Sequence, residues 1–323
     1  MTITPMTGRD LHVDVPLSNV VVGRRPEGGI ADALLPVTPV SKQSDIYYKY
    51  LHGINAQYTA GRTERAPGTA AKKIHTAISS DTFYCKNYAL GTDMVVEDVV
   101  NADETLDWAN TNALQLTDRL NLDYEVRVAE IATTSSNVGT TIGVATGFSY
   151  TSGSRPIDVI EEQKELFRQR TGLTPNLMIV PEQVATNLRR NDQIRDVLFG
   201  DKGGLVTDAN LAAIFQIGKV LVPRVQVNTT GEGATMLGSW AYADIWGPHI
   251  WLARVQILQG KYVDTWLNAF RWTSPLLGVP FAVQRYPFDV KLKKYEMEVG
   301  YYQTEKVVSP DLAVRIFNVN SNT

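Results

Sequence analysis

The side chains where catalysis or metal binding would begin are four histidines, His12, His52, His75 and His249, and a single cysteine, Cys85. A protein zinc site needs His and Cys ligands in pairs at short spacing. None of the four histidines has a second His or Cys at such a distance, so each reads as a surface or interface residue. Cys85 follows Tyr84 in a strand-like stretch with no activating base beside it, which reads as a buried structural thiol. "GDKGG" (Gly200 to Gly204) has phosphate-loop glycines, but no Gly-Lys-Ser/Thr opens a helix there, so it reads as a flexible loop. "GTTIGVATG" (Gly139 to Gly147) fails the dinucleotide fingerprint in spacing and context. Glu161, Glu162 and Glu165, interleaved with Lys164 and Arg168, read as a solvated helix face with i,i+4 pairs. "LRRND" (Leu188 to Asp192) is either an interface patch or the polar side of a helix. "WGPHIW" (Trp246 to Trp251) has the rings to stack a base or a sugar, yet aromatics on strands are more often core. No catalytic residue, metal site or cofactor site emerges.

One stretch stands apart. "TAGRTERAPGTAAKKIHT" (Thr59 to Thr76) sets Arg62, Arg65, Lys72 and Lys73 against Glu64 alone, a local charge of plus three. Such a loop can grip nucleic acid, clamp an anionic substrate or lie on another protein. The chain as a whole has net charge -3 and a pI near 5.9, which lacks the basic excess of a dedicated DNA reader. Its 44% hydrophobic and 20% charged residues are ordinary for a globular protein, and 323 residues predict about two domains. One cysteine permits no disulfide within the chain and fits a reducing compartment. The first residues show no signal-peptide pattern, and no run approaches the roughly 18 apolar residues of a membrane span.

These residues need elements to hold them. Pro5, Pro16, Pro26, Pro36 and Pro39 forbid a long helix in the first forty residues, which read as an extended arm. "GGIADALLP" predicts a short helical turn ended by Pro36. Tyr47 to Leu51 and Thr76 to Leu90 are strand-prone, and with the basic loop between them they predict a long two-stranded ribbon. At ~3.3 Å per residue its limbs reach some 50 Å. A lone two-stranded ribbon is marginal in water, so it needs a surface to rest on.

Asp103 to Thr134 predicts a helix about 48 Å long, with Leu106, Ala109, Ala113, Leu116, Leu120, Tyr124, Val128 and Ile131 in one stripe and Asn101 or Asp103 as cap. Val138 to Gly153 reads as a loop. From about 155 to 285 the texture becomes α+β: a helix between Pro156 and Gly172, a strand in "PNLMIVP", one or two helices in "EQVATNLRRNDQIRDVLFG", and a helix from Asp208 to Gly218. Strands follow in "KVLVPRVQV", "ATMLGSWAYAD" and "HIWLARV". The tail from Phe288 to Val319 predicts a long strand with a bulge near Lys293 and Lys294, a turn at "SPDL" and a returning strand, together a closing hairpin packed with the long helix.

In order and spacing these pieces resemble the major capsid protein of tailed bacteriophages, the Hong Kong 97-type shell subunit. The passages that carry the resemblance are "VDVPLSNVVVGRRPEGGIADALLPVTPVSKQSDIYYKY", the aromatic arm, the long helix, "TPNLMIVPEQVATNLRRNDQIRDVL" and "YEMEVGYYQTEKVVSPDLAVRI". The resemblance implies an α+β Hong Kong 97-like fold: an N-terminal arm (1–45), an extended β-hairpin loop (46–90), a peripheral domain (91–154 and 286–323) with a spine helix near 103–134, and an axial domain (155–285). It implies a non-enzymatic subunit that forms pentamers and hexamers and encloses a double-stranded DNA genome without binding it specifically. Portal, scaffolding and decoration proteins are the implied partners. The implied location is the virion, after assembly in the host cytoplasm, with no membrane contact. Tyr47, Tyr48, Arg62, Arg65, Lys72 and Lys73 are expected to touch neighbouring subunits. No acceptor asparagine or catalytic glutamate matches the family's lysine–asparagine crosslink, so self-crosslinking is not carried over. The alternatives are an encapsulin-like nanocompartment shell and an enzyme using the loop as an anion clamp.

Overall fold

The computed structural model describes residues 12–13, 18, 27–50, 64–70, 73, 78–97, 108–144, 147–148, 153–200, 204–230, 241–256, 264–273 and 282–319. The chain begins with strand β1 (His12–Val13) and the one-turn helix α1 (Ala31–Leu34). Helix α1 has no cap from its own segment. Its first N–H groups go instead to a distant carboxylate: Ile30 N and Ala31 N donate to Glu125 at 3.0 and 2.9 Å. Pro36 ends the turn as expected, because the residue before a proline is pushed out of the helical region. Strand β2 (Val37–Val40) follows, then β3 (Ser44–Tyr50), β4 (Ile78–Tyr84) and β5 (Lys86–Val95).

The single limb expected over 76–90 is two strands. β4 pairs antiparallel with β3, whereas β5 leaves the ribbon and pairs with a strand near the C-terminus. The break falls on Cys85. Its N–H donates to Gln43 O, its fully buried thiol points at Phe270 O, 3.4 Å away, and so it fixes where the chain changes partners.

Helix α2 (Trp108–Thr133) spans 26 described residues. The cap expected at Asn101 or Asp103, and Leu106 of the stripe, lie outside the described residues. The rest of the stripe is present and is shared between two cores. Ala113, Leu116 and Leu120 pack with Val283, Met297, Val299 and Tyr301. Tyr124, Val128, Ala129 and Ala132 enter the main core. The C-terminal carbonyls of a helix have no partner within it. Here Asn137 Nδ2 donates to Ile131 O at 3.0 Å, Trp251 Nε1 to Ala132 O at 3.0 Å, and Arg315 to Thr133 O. Arg315 also places a cation at the negative end of the helix dipole.

The stretch read as a loop over 138–153 holds strand β6 (Thr140–Gly143). Helix α3 (Pro156–Thr171) starts on its proline and ends at Gly172, whose φ of 72° is the left-handed conformation a helix C-terminus favours. Strand β7 (Leu177–Ile179) leads to two helices, α4 (Glu182–Arg190) and α5 (Asp192–Phe199). Helix α6 (Asp208–Ile214) is capped by Thr207, not Asp208: the threonine hydroxyl accepts from Asn210 N at 3.3 Å. It closes before Gly218, at Gln216 with φ 50°. "KVLVPRVQV" forms β8 (Lys219–Leu221) and β9 (Gln226–Asn228), parted at Pro223. Then come β10 (Tyr242–Asp244), β11 (Ile250–Ala253), β12 (Leu267–Trp272), β13 (Ala282–Arg285), β14 (Lys294–Val307) and β15 (Ala313–Phe317).

Two sheets organise these strands. One has the order β1-β13-β14-β12-β2, with β5 on the opposite edge of β14. Pro39 is tolerated in β2 because that strand lies at the sheet's edge. The other sheet runs β6-β15-β11-β7-β8.

The tail departs from the expected hairpin. β15 does not pair with β14 but inserts between β6 and β11 of the other sheet. The 3-10 turn Pro310–Leu312 carries the chain across. Near Lys293 there is a tight turn rather than a bulge: Asp289 Oδ1 accepts from Lys291 N and Leu292 N, and Lys293 has φ 49°. Both sheets therefore draw strands from either side of the boundary expected near residue 285.

Candidate subunit interface

The β3–β4 ribbon is two-faced, and its register says why. Ser44 stands opposite Tyr84 and Tyr50 opposite Ile78, so successive residues alternate between faces. On the inner face, Tyr47 and Phe83 are buried against Phe270, with ring centroids 5.1 and 4.6 Å away. Cys85 and Val308 complete this small core. The inner face also carries a polar clasp. Asp81 takes a 3.0 Å ion pair from Lys49 and a 3.2 Å hydrogen bond from the Tyr47 hydroxyl. The hydrogen bond from Lys49, with another from Thr82 N, holds the Asp81 carboxyl down at about 2. Burial, with Asp81 close by, pushes the Tyr47 hydroxyl well above its ordinary value.

The outer face keeps large apolar side chains exposed, and its Tyr84 hydroxyl accepts from Gln43 Nε2 at 3.3 Å. Ile46, Tyr48, Ile78 and Tyr84 are 57%, 43%, 40% and 58% exposed. Isolated exposed apolar residues are normal, but four large ones along one ribbon face mark a surface built to be covered. Of the two tyrosines expected at the interface, Tyr47 is thus turned into its own chain, because strand alternation sends neighbouring residues to opposite faces, and Tyr48 faces out. Arg62 and Lys72 lie outside the described residues. Arg65 and Lys73 are exposed and form no ion pair among the described residues. Between them the loop makes a β-turn, in which Thr69 N donates to Ala66 O and Pro67-Gly68 sit at the centre with Gly68 at φ 80°.

A second exposed apolar patch escaped the sequence reading. At the tip of the β13–β14 connection, Phe288, Val290, Leu292 and Tyr295 are 38%, 79%, 58% and 44% exposed. The alternation of Val290 and Leu292 with lysines is the available signal, and by sequence it reads as a strand.

The other candidates resolve as structure. In "WGPHIW", Trp246 and Trp251 are buried edge-to-face at 5.5 Å, and His249 stacks edge-on against Trp251. Burial lowers the His249 pKa. Glu161 and Glu165 of α3 pair with Lys164 and Arg168 at i,i+3 rather than i,i+4. Arg189 of "LRRND" bridges Glu182 and Asp208 at 2.8 and 2.6 Å, and Arg224 bridges the same two acids at 2.9 and 3.8 Å. That ring ties α4 to α6. His52 and His75 lie outside the described residues. Among the described residues no group of three His, Cys, Asp or Glu is placed to hold a metal ion. No helix among them is long and apolar enough to cross a membrane.

A long helix shared between two cores, with two sheets and a two-stranded ribbon seated on Phe270, is the Hong Kong 97-like fold. The sequence is 24% identical over 261 residues to the major capsid protein of Burkholderia phage BcepMu, covering 77% of this chain and 78% of the relative. The crystal structure of a phage-related protein from Bordetella bronchiseptica RB50 matches with a TM-score of 0.71 at 19% identity, covering 96% of this chain and 98% of that one. The capsid structure of cyanophage P-SCSP1u matches at TM-score 0.57 and 11% identity, covering 91% and 88%. No protein-family model matches the chain.

Proposed function

We propose that this chain is the major capsid protein of a tailed bacteriophage, assembling into an icosahedral shell around a double-stranded DNA genome. The observation that carries the reading is the ribbon: its inner face is satisfied by Phe270 and Val308, and its outer face exposes Ile46, Tyr48, Ile78 and Tyr84. Covering one such side chain is worth about 1.5–3 kcal/mol, and a shell repeats that gain at every copy. Copies group as pentamers and hexamers, with the ribbon and its basic loop lying on the adjacent subunit through Tyr48, Arg62, Arg65, Lys72 and Lys73. The arm, loop, peripheral and axial divisions follow the family plan, except that 267–272 and 282–285 pair within the peripheral sheet and 140–143 and 313–317 within the axial one.

The role is structural, and no group in the chain is asked to do catalysis. The slightly acidic whole suits a wall that contains DNA without binding it tightly. A portal, a scaffold and decoration proteins complete the particle, which is assembled in the host cytoplasm. Sedimentation and negative-stain imaging of purified protein test the reading. Capsomers or closed shells are expected. A stable folded monomer under every assembly condition overturns it.

A further inference from the structure

We propose that the cavity between helix α3 and strands β6 and β15 binds a small apolar molecule carrying a carboxamide, which pairs with the side-chain amide of Gln163. The inference is independent of the shell reading and adds a ligand site to it. The cavity holds about 450 Å³, within the range of small-molecule pockets. Phe167 of α3 and Val314 of β15 are buried and give it apolar walls, and Leu166, 47% exposed, lines its open side. Thr140 of β6 and Arg170 also line it, and Arg170 donates to the Thr140 hydroxyl and to Asp311 O and Ala313 O, where the chain enters β15. Gln169 donates to Glu165 Oε1 at 3.0 Å. Thr140, Gln169 and Arg170 are therefore engaged within the chain.

Gln163 is different. It shares the buried face of α3 with Ile160 and Phe167, is 4% exposed, and lines the cavity. Its Oε1 is buried and accepts no hydrogen bond among the described residues. A buried polar group left unpaired lowers stability, and nearly all such groups find a partner. The other buried amide side chains among the described residues do so. Asn268 accepts from Thr38 and donates to Ala269 O, Gln303 accepts from Arg271 and donates to Glu305, and Asn191 donates to Ser154. Gln163 is thus the buried amide whose hydrogen bonding is left to an occupant of the cavity, and the rest of the lining says what that occupant is. A side-chain amide presents an acceptor and a donor in one plane, and another amide returns a donor and an acceptor. Leu166, Phe167 and Val314 offer only apolar contact, so the body of the ligand is apolar.

Phenylacetamide is the probe, with a ring for the apolar walls and a carboxamide for Gln163. Added to the full chain, it should raise the melting temperature in a saturable manner. With isotope-labelled glutamine side chains, it should also shift the amide signal pair that Q163L removes. Q163L puts an apolar group in place of the unpaired amide and should bind phenylacetamide at least tenfold more weakly. L166W fills the open side from an exposed position, so it should fold and show the same loss, which keeps the test decisive if Q163L does not fold. Ethylbenzene has the ring without the amide and should bind at least tenfold more weakly than phenylacetamide. The absence of any saturable shift with phenylacetamide overturns the proposal. Binding that both variants leave intact places the ligand elsewhere and overturns it too, as does equal binding of ethylbenzene, which removes the role of Gln163. Shell assembly, read separately by sedimentation, stands or falls without regard to these outcomes.

Discussion

Glu125 is 1% exposed, has no cation paired to it among the described residues, and lies on the central helix. It accepts from Ile30 N, Ala31 N and Trp246 Nε1, three donors from two otherwise separate parts of the chain. Removing it leaves three buried donors without partners, each costing about 1–3 kcal/mol. Glu125→Ala is therefore expected to lower unfolding stability by roughly 3 kcal/mol or more, read from denaturant midpoints. Burial raises the Glu125 pKa, with the three donors opposing. Its protonation thus favours the fold: the contribution is complete below the ordinary value of 4.5 and is lost as pH rises through the raised value. The stability difference between wild type and Glu125→Gln should shift against the wild type across that window; a difference independent of pH contradicts the assignment. Cys85 gives a second residue-scale test. Burial pushes its thiol up to about 11, so a thiol reagent at neutral pH should label it only as fast as the protein opens. Labelling at the rate of a free thiol would show that the ribbon base is undocked.

At the scale of elements, the ribbon's two faces separate folding from assembly. Phe270→Ala removes the ring under Tyr47 and Phe83 and should cost about 3–5 kcal/mol, seen as a lower unfolding midpoint. Ile46→Ser with Tyr84→Ser changes exposed positions and should leave the subunit's melting temperature nearly unchanged, within about 0.5 kcal/mol, while reducing shell yield. The reverse pattern would mean that the outer face packs on its own chain. Tyr47 and Tyr48 are neighbours of the same type, and the sequence offers no reason to separate them. Only the register with β4 and the position of Phe270, 223 residues away from Tyr47, decide which is core.

For the whole molecule, helix α2 joins the two cores, so they should unfold together. Leu120→Ala in the smaller core and Phe167→Ala in the larger should each shift one shared calorimetric transition, by about 2–5 kcal/mol. Two separated transitions would show that the helix does not couple them. Much was legible without coordinates, because it depends on local periodicity. The apolar stripe from Ala109 to Ile131, the turn ended by Pro36, the helix from Pro156 to Gly172 and the alternation along β14 each follow from chemistry within a few residues. Pairing partners were not legible: β15 reads as the return of a hairpin yet joins the other sheet, and β5 reads as the continuation of a ribbon that it leaves. A strand's sequence specifies which face is apolar, but its edges carry the same N–H and C=O groups in every strand, so pairing depends on what the rest of the fold brings alongside. For the same reason, the sequence alone determined a basic loop and an aromatic, strand-forming ribbon, and only the tertiary structure decided which face of that ribbon, the one carrying Tyr47 and Phe83, packs on Phe270.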